Sequence, residues 1–317
     1  MEAHLQAGMA PGFPLFVSAG EALTDMIVQG PPGSASAQHW LSQTGGSTWN
    51  VARAMAALEV PTAFAGAISN DVFGDALWQA SAASGLDLRF VQRVDKSPLL
   101  AIVHRTDPPA YFFVGSDSAD LHFDAAQLPD GWRAHCKWAH FGGISLARQP
   151  LADKLVALAQ ELKRNGARIS YDPNFRVLMD QRYDATLRTM TALADVVKVS
   201  EEDLAGLFRT DDLEHAFATL RSWNPEALYL YTKGAAGASL HLGGESWTQP
   251  APAIEVADTV GAGDASIAAL AWSLTHRPAG APLRHLQFAV AAGAAACEQH
   301  GASPPSLAAI ERLAAGM

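Results

Sequence analysis

From residue 15 onward, short apolar runs of strand length take turns with longer stretches whose apolar residues recur at helical spacing. That alternation most narrows the folds open to this chain. Residues 15–19, 62–68, 138–141, 168–172, 196–199, 227–232 and 238–242 read as strands. Helical spacing covers residues 50–58 before Pro61, 75–84 closed by Gly85, 151–165 closed by Gly166, 213–223 and the alanine-rich final third. Strands and helices in alternation predict an α/β fold whose central, mostly parallel β-sheet carries helices on both faces. Ligands on such a sheet collect at the carboxyl ends of the strands.

Two segments break the alternation. Residues 26–43 are interrupted by Gly30-Pro31-Pro32-Gly33, and residues 99–114 hold β-prone runs around Asp107-Pro108-Pro109. Both read as strands outside the main sheet, the second with hairpin-like punctuation.

The 317 residues suffice for one large α/β domain or two ordinary ones, and a 49% apolar fraction can fill a substantial core. A formal net charge of −10 weighs against a nucleic-acid partner or an anionic membrane surface, both of which reward a basic face. Only Cys136 and Cys297 occur, without a CxxC or a Cys/His ligand cluster, so neither a disulfide framework nor a structural zinc is expected, and a reducing cytoplasm fits. Residues 1–14 lack a basic segment followed by an apolar core, and no stretch approaches the ~20 apolar residues of a membrane helix.

Chemistry concentrates at Asp258-Thr259-Val260-Gly261-Ala262-Gly263-Asp264, which runs straight into the small, apolar residues 265–274. This is a glycine turn feeding a helix, and the N–H groups of Gly261, Ala262 and Gly263 are expected to face an anion. The positive end of the helix adds typically ~0.3–1 kcal/mol to such binding. A carboxylate beside a phosphate site repels its ligand unless it has another task. Asp264 is therefore the candidate base that takes a proton from a hydroxyl attacking a phosphoryl group, while the amides hold the developing charge. The plain alternative is a carboxylate that only complements the helix dipole. The patterns GxxxxGK[ST] and GxGxxG after the first strand are absent, which argues against P-loop and dinucleotide-binding enzymes.

The turn resembles the DTxGAGD signature of the ribokinase-like (PfkB) carbohydrate kinases, and other blocks follow in that family's order. Gly45-Gly46-Ser47-Thr48-Trp49-Asn50-Val51-Ala52 resembles its GGxxxNxA motif, and Gly20-Glu21-Ala22-Leu23-Thr24-Asp25 is similar to the GExLxD opening of its fructokinase-like members. Asp172-Pro173-Asn174-Phe175-Arg176, Lys198-Val199-Ser200-Glu201-Glu202-Asp203 and Thr232-Lys233-Gly234-Ala235-Ala236-Gly237 complete six blocks that span most of the chain. The resemblance implies a single ribokinase-like kinase domain over residues 1–317. It also implies that the segments near 26–43 and 99–114 form a small β-sheet lid, which covers the sugar and often joins two subunits into a homodimer. A lid suits phosphoryl transfer because water otherwise competes with the sugar.

The resemblance further implies an ATP-dependent sugar kinase, fructokinase-like, with ATP and Mg²⁺ and in some relatives a monovalent cation such as K⁺. Asp25, Gly45, Gly46 and Asn50 match sugar-binding positions, where carboxylate and amide groups meet hydroxyls and glycines permit close approach. Asn50 reads equally as a helix N-cap, and Trp49 as core packing rather than a stacking platform. Asp172 and Arg176 match substrate-binding positions, Arg176 offering its planar fork to an oxyanion; a surface ion pair with Asp172 or Asp180 is the alternative.

Lys198 and Ser200 lie in a stretch that in relatives helps hold Mg²⁺ through water, written NxxE or SxxE. Here its last position is Asp203, one methylene shorter, so that role passes in part to Glu202 or to water. Thr232, Lys233, Gly234 and Gly237 match the nucleotide loop, or else form an ordinary hairpin turn. Ala291, Ala295 and Gly301 match a small-residue wall for adenine, though small residues also let helices approach closely. The carbonyls of Asp258, Val260, Ala296 and Gly301 are candidates for the monovalent cation. Residues 111–114, Tyr-Phe-Phe-Val, lack the arginine that ketodeoxygluconate kinases carry for the substrate carboxylate, which favours a neutral sugar. The alternatives are a ketodeoxygluconate, ribose or nucleoside kinase of the same fold, or a non-catalytic sugar-binding regulator on this scaffold.

Overall fold

Hydrophobic runs flanked by turn residues become thirteen strands and nine α-helices among the residues described by the computed structural model, 12–29, 39–106 and 109–317. In chain order they begin with β1 (Phe16–Ala19), β2 (Leu23–Gln29), β3 (His39–Gly45), α1 (Ser47–Ala57), β4 (Thr62–Ser69), α2 (Val72–Ala83) and β5 (Val91–Val94). Next come β6 (Leu100–Thr106), β7 (Pro109–Val114), β8 (Trp138–Gly142), α3 (Leu151–Arg164), β9 (Arg168–Asp172), α4 (Asp184–Leu193) and β10 (Val196–Ser200). The chain closes with α5 (Glu201–Phe208), α6 (Leu213–Ser222), β11 (Leu228–Thr232), β12 (Ala238–Leu242), β13 (Glu245–Gln249), α7 (Ala262–His276), α8 (Pro282–Cys297) and α9 (Leu307–Ala314).

The large sheet has nine strands in the order β13-β12-β11-β10-β9-β8-β1-β4-β5. Its pairs are parallel from β5 across to β11, while β12 and β13 add an antiparallel edge. Strands buried on both faces favour small and apolar residues, and β4 (TAFAGAIS) is buried along its whole length. Side-chain alternation then sorts the core. Val17, Ala139, Phe141, Ile169, Tyr171, Val197 and Val199 pack with α3 to α6, whereas Phe16, Trp138, Val196 and Leu230 pack with α1 and α7 to α9. The second face also carries a polar file, in which Ser18 is in register with His140 and His140 with Ser170, all fully buried.

Four strands form the separate small sheet, ordered β3-β2-β6-β7. The expected lid segments thus give two strands each, with β2 and β3 reaching outward to Leu23 and Gly45 because their antiparallel register runs that far. The Gly30-Pro31-Pro32-Gly33 interruption and Asp107-Pro108 lie outside the described residues.

Most expected elements occur with boundaries moved by one to three residues. Helix α1 begins at Ser47 rather than Asn50 because Gly46, at φ 114°, supplies the N-cap geometry. A Cβ on Gly46 would collide with the Glu21 carbonyl, so this turn needs glycine twice over. Four elements escape the sequence pattern: β5, α4, α5 and β13. They are short and partly exposed, so their apolar periodicity is weak.

Candidate active site

Because strands β1, β8, β9 and β10 run parallel, their carboxyl ends fall on one edge and deliver Glu21, Gly142, Asp172 and Ser200 there. The N-termini of α1 and α7 converge on the same edge. Asp264 is the third residue of α7, behind the left-handed Gly261 at φ 83°. A Cβ on Gly261 would press against Ala302 of the final loop.

The Asp264 carboxylate is held on both oxygens. Ser47 Oγ donates to Oδ1 at 2.8 Å and Asn50 Nδ2 donates to Oδ2 at 2.9 Å. Burial raises its pKa, and the bonds from Asn50 and Ser47 and the charges of Lys198 and Arg176 pull the other way. The Asn50 amide therefore reaches across to α7 instead of capping its own helix. Its Oδ1 is buried with no partner among the described residues, an acceptor waiting for a donor.

The turn ahead of Asp264 is half-buried. Ala262 N–H folds back on the Thr259 carbonyl at 3.3 Å, so of the three amides expected to face an anion, among the described residues those of Gly261 and Gly263 stay open. The Asp258 carboxylate braces the turn from behind, accepting Val260 N–H at 3.1 Å and Gly301 N–H at 2.9 Å. This bond joins the turn to the final loop.

Beneath it lies a buried ion pair. Lys198 Nζ donates to Asp172 Oδ2 at 2.8 Å and stands 4.0 Å from Asp203 Oδ2, while its end abuts Gly263. Burial lifts the Asp172 carboxyl to about 6 against the pull of Lys198. The neighbouring carboxylates outweigh desolvation for Lys198, whose pKa is raised. Asp172 Oδ1 accepts Asn174 N–H at 3.1 Å, so both of its oxygens are spent on the scaffold.

Arg176 makes neither of the alternative surface ion pairs, with Asp172 or with Asp180, among the described residues. Its Nη1 donates to Asn174 Oδ1 at 2.8 Å and to the Phe175 carbonyl at 2.7 Å, and its guanidinium carbon lies 6.0 Å from the Tyr111 ring of β7. The charge of Arg176 acts on Asp25, Tyr111 and Asp264 together, which puts it between the small sheet and the base candidate. Asp25, on β2, is raised to about 6 by burial, with Arg176 opposing. Its carboxylate occupies the space a side chain on Gly45 would fill.

Other expected residues hold scaffold positions. Asp203 accepts Ser200 N–H and Phe175 N–H, both at 2.7 Å, while Ser200 Oγ accepts Asp203 N–H at 3.0 Å. This capping box starts α5, and Glu202 beside it is exposed, its charge felt at Tyr111. Thr232 to Gly237 join the antiparallel pair β11 and β12 as a hairpin connection at the carboxyl end of β11. Lys233 is exposed, 4.7 Å from the Tyr231 ring, and Gly234 faces open space. Ala291 and Ala295 are sealed into the α7–α8 packing, and only Gly301 of that trio reaches the site edge. Trp49 is fully buried, with Nε1 donating to Ser81 Oγ at 2.9 Å, and belongs to the core.

Two residues the sequence reading passed over complete the cluster. Glu21, 2% exposed, accepts Ser47 N–H at 3.1 Å and binds the Ser145 hydroxyl, and burial pushes its carboxyl up to about 7. Ser47 connects it to Asp264. Glu21 lies inside the GExLxD block, a signal that was available; Ser47 carried none beyond its place after Gly46. Among the described residues there is no group of three or more His, Cys, Asp or Glu able to hold a metal, and no helix long and apolar enough to cross a membrane.

The model of the pfkB family carbohydrate kinases matches residues 15–309. The chain is 32% identical to a fructokinase of Rhizobium leguminosarum bv. trifolii over 268 residues, 82% of this chain and 79% of that one. Among solved structures it resembles the fructokinase of Xylella fastidiosa with bound ATP, at TM-score 0.85 and 27% identity, over 95% of this chain and 98% of that one. It also resembles the Vibrio cholerae fructokinase bound to fructose, ADP and calcium, at TM-score 0.80 and 29% identity, over 94% and 98%. The match across nearly the whole chain and the convergence of its six motif blocks on one sheet edge have the same meaning: this protein is a member of the pfkB family of carbohydrate kinases.

Proposed function

We propose that the chain transfers the γ-phosphoryl group of ATP to a hydroxyl of a neutral sugar, with fructose the first candidate. The observation that carries this reading is the position of Asp264. It is a buried carboxylate one residue beyond the open amide of Gly263, gripped by two donors and acted on by the charges of Lys198 and Arg176. The sugar hydroxyl gives its proton to Asp264 as its oxygen bonds to phosphorus, and the bond to the ADP oxygen breaks. Burial helps, because a raised pKa brings the base nearer the operating pH. The amides of Gly261 and Gly263 then face the charge on the transferring group, with Ala262 fixing the turn.

The unpartnered Asn50 Oδ1 supports a sugar here, since it calls for a hydroxyl donor. Asp25, Gly45 and Gly46 would line the sugar from the lid side, and Arg176 would meet an oxygen of sugar or phosphate. The Tyr111 ring would close over them. Lys198, Ser200 and Asp172 would act as the rigid floor, and Thr232, Lys233, Gly234, Gly237 and Gly301 as the nucleotide side.

A Mg²⁺ ion would arrive on the ATP phosphates and meet the exposed Glu202 through water. A monovalent cation would sit where Asp258 ties the two loops together. In this reading residues 1–317 work as one kinase domain, the small sheet is its lid, and the exposed Trp40 and Phe112, on the face of that sheet away from Tyr111, are where a second copy would pack. ATP turnover should be measured with neutral ketoses, aldoses, ketodeoxy acids and nucleosides, each with Mg²⁺. The highest kcat/KM is expected for fructose; sugar binding without turnover would replace this reading with the non-catalytic regulator.

A further inference from the structure

A serine in the first turn of a helix ordinarily spends its hydroxyl on the helix itself, and Ser47 does not. Gly46 is the N-cap of α1 and makes no side-chain cap bond, while Ser47 Oγ points across to α7 and donates to Asp264 Oδ1 at 2.8 Å. Ser47 is 9% exposed, so water competes little for that bond. Its own backbone is fixed as well, because Ser47 N–H donates to Glu21 Oε1 at 3.1 Å and Glu21 is anchored in turn on Ser145 N–H at 3.3 Å. Asn50, three residues on and therefore on the same helix face, takes the other carboxylate oxygen.

We propose that Ser47 is a positioning residue for Asp264, with Glu21 holding Ser47 in place, so that the carboxylate presents a fixed lone pair to the attacking hydroxyl. This rests on the reading of Asp264 as the base. Two donors on one rigid turn stop the carboxylate rotating about its Cβ–Cγ bond, and a base fixed in advance saves the cost of ordering it during each turnover. When Asp264 takes up the proton, the serine hydroxyl can turn from donor to acceptor, because it has both capacities. The charged and titratable groups facing Asp264 from the packed elements are Lys198 on β10, Arg176 after β9 and Asp172 at the end of β9.

The test is a double-mutant cycle of Ser47→Ala and Asp264→Ala, assayed with ATP, Mg²⁺ and the best sugar from the panel, together with the pH profile of Ser47→Ala. Ser47→Ala is expected to lower kcat about tenfold, the smaller end of what a hydrogen bond to a charged group is worth, with the KM for ATP within twofold of the parent. Its acid limb should move to higher pH, since the lost bond favoured the ionised carboxylate. In the Asp264→Ala background the same serine change should cost nothing further. An equal loss in both backgrounds, or an acid limb that stays in place, overturns the assignment of Ser47 while leaving the base reading intact. Near-normal turnover of Asp264→Ala by itself overturns the base reading. Thermal unfolding of each variant shows whether it is folded.

Discussion

Lys198 Nζ, from the middle of β10, and Asp172 Oδ2, from the carboxyl end of the neighbouring β9, stand 2.8 Å apart, and neither side chain is more than 6% exposed. Such a pair is expensive to break from one side. Lys198→Met should destabilise the protein by about 3–5 kcal/mol by stranding the Asp172 charge. Equilibrium urea unfolding checks this, and Lys198→Met with Asp172→Asn should recover part of the loss.

Asp264 joins two helices as well as serving as the candidate base. Asp264→Asn is expected to lower kcat by ~10²–10⁴ while nucleotide binding changes little. Steady-state kinetics alongside calorimetric titration of ADP separates the two effects, and turnover close to the parent would contradict the role.

Glu21 makes stability depend on pH in a defined direction. Its carboxyl is raised from 4.5 to about 7 in the folded state, so the stability it contributes is complete below its unfolded pKa and is lost as pH rises through about 7. The difference is worth about 3 kcal/mol across that window. Asp25, raised from 3.8 to about 6, adds a loss of the same sign at lower pH. Unfolding free energy of the ligand-free protein should therefore fall between about pH 4 and 7, and Glu21→Gln should flatten that slope above about pH 4.5.

The capping box at α5 separates scaffold from metal chemistry. Asp203→Ala should cost roughly 1–2 kcal/mol in chemical unfolding, since it removes the acceptor for Ser200 N–H and Phe175 N–H. Glu202→Gln, on an exposed side chain, should leave the unfolding midpoint unchanged and raise the Mg²⁺ concentration needed for half-maximal rate.

Sequence by itself determined the sheet and the outline of the site. Parallel strands covered on both faces are mostly apolar, so runs such as β4 announce themselves, and the turn from Asp258 to Asp264 needs glycine at Gly261 for its backbone whatever surrounds it. These are local requirements, and local requirements leave a local record. Only the tertiary structure decided which polar groups meet. Ser47 lies 217 residues from Asp264 and Glu21 lies 124 from Ser145, and no pattern along the chain encodes either bond. The same holds for Asn50, whose side chain is equally suited to capping, and for Asp203, whose oxygens turn to the backbone. A polar side chain has several satisfactory partners, and burial forces it to take the one that packing brings within reach.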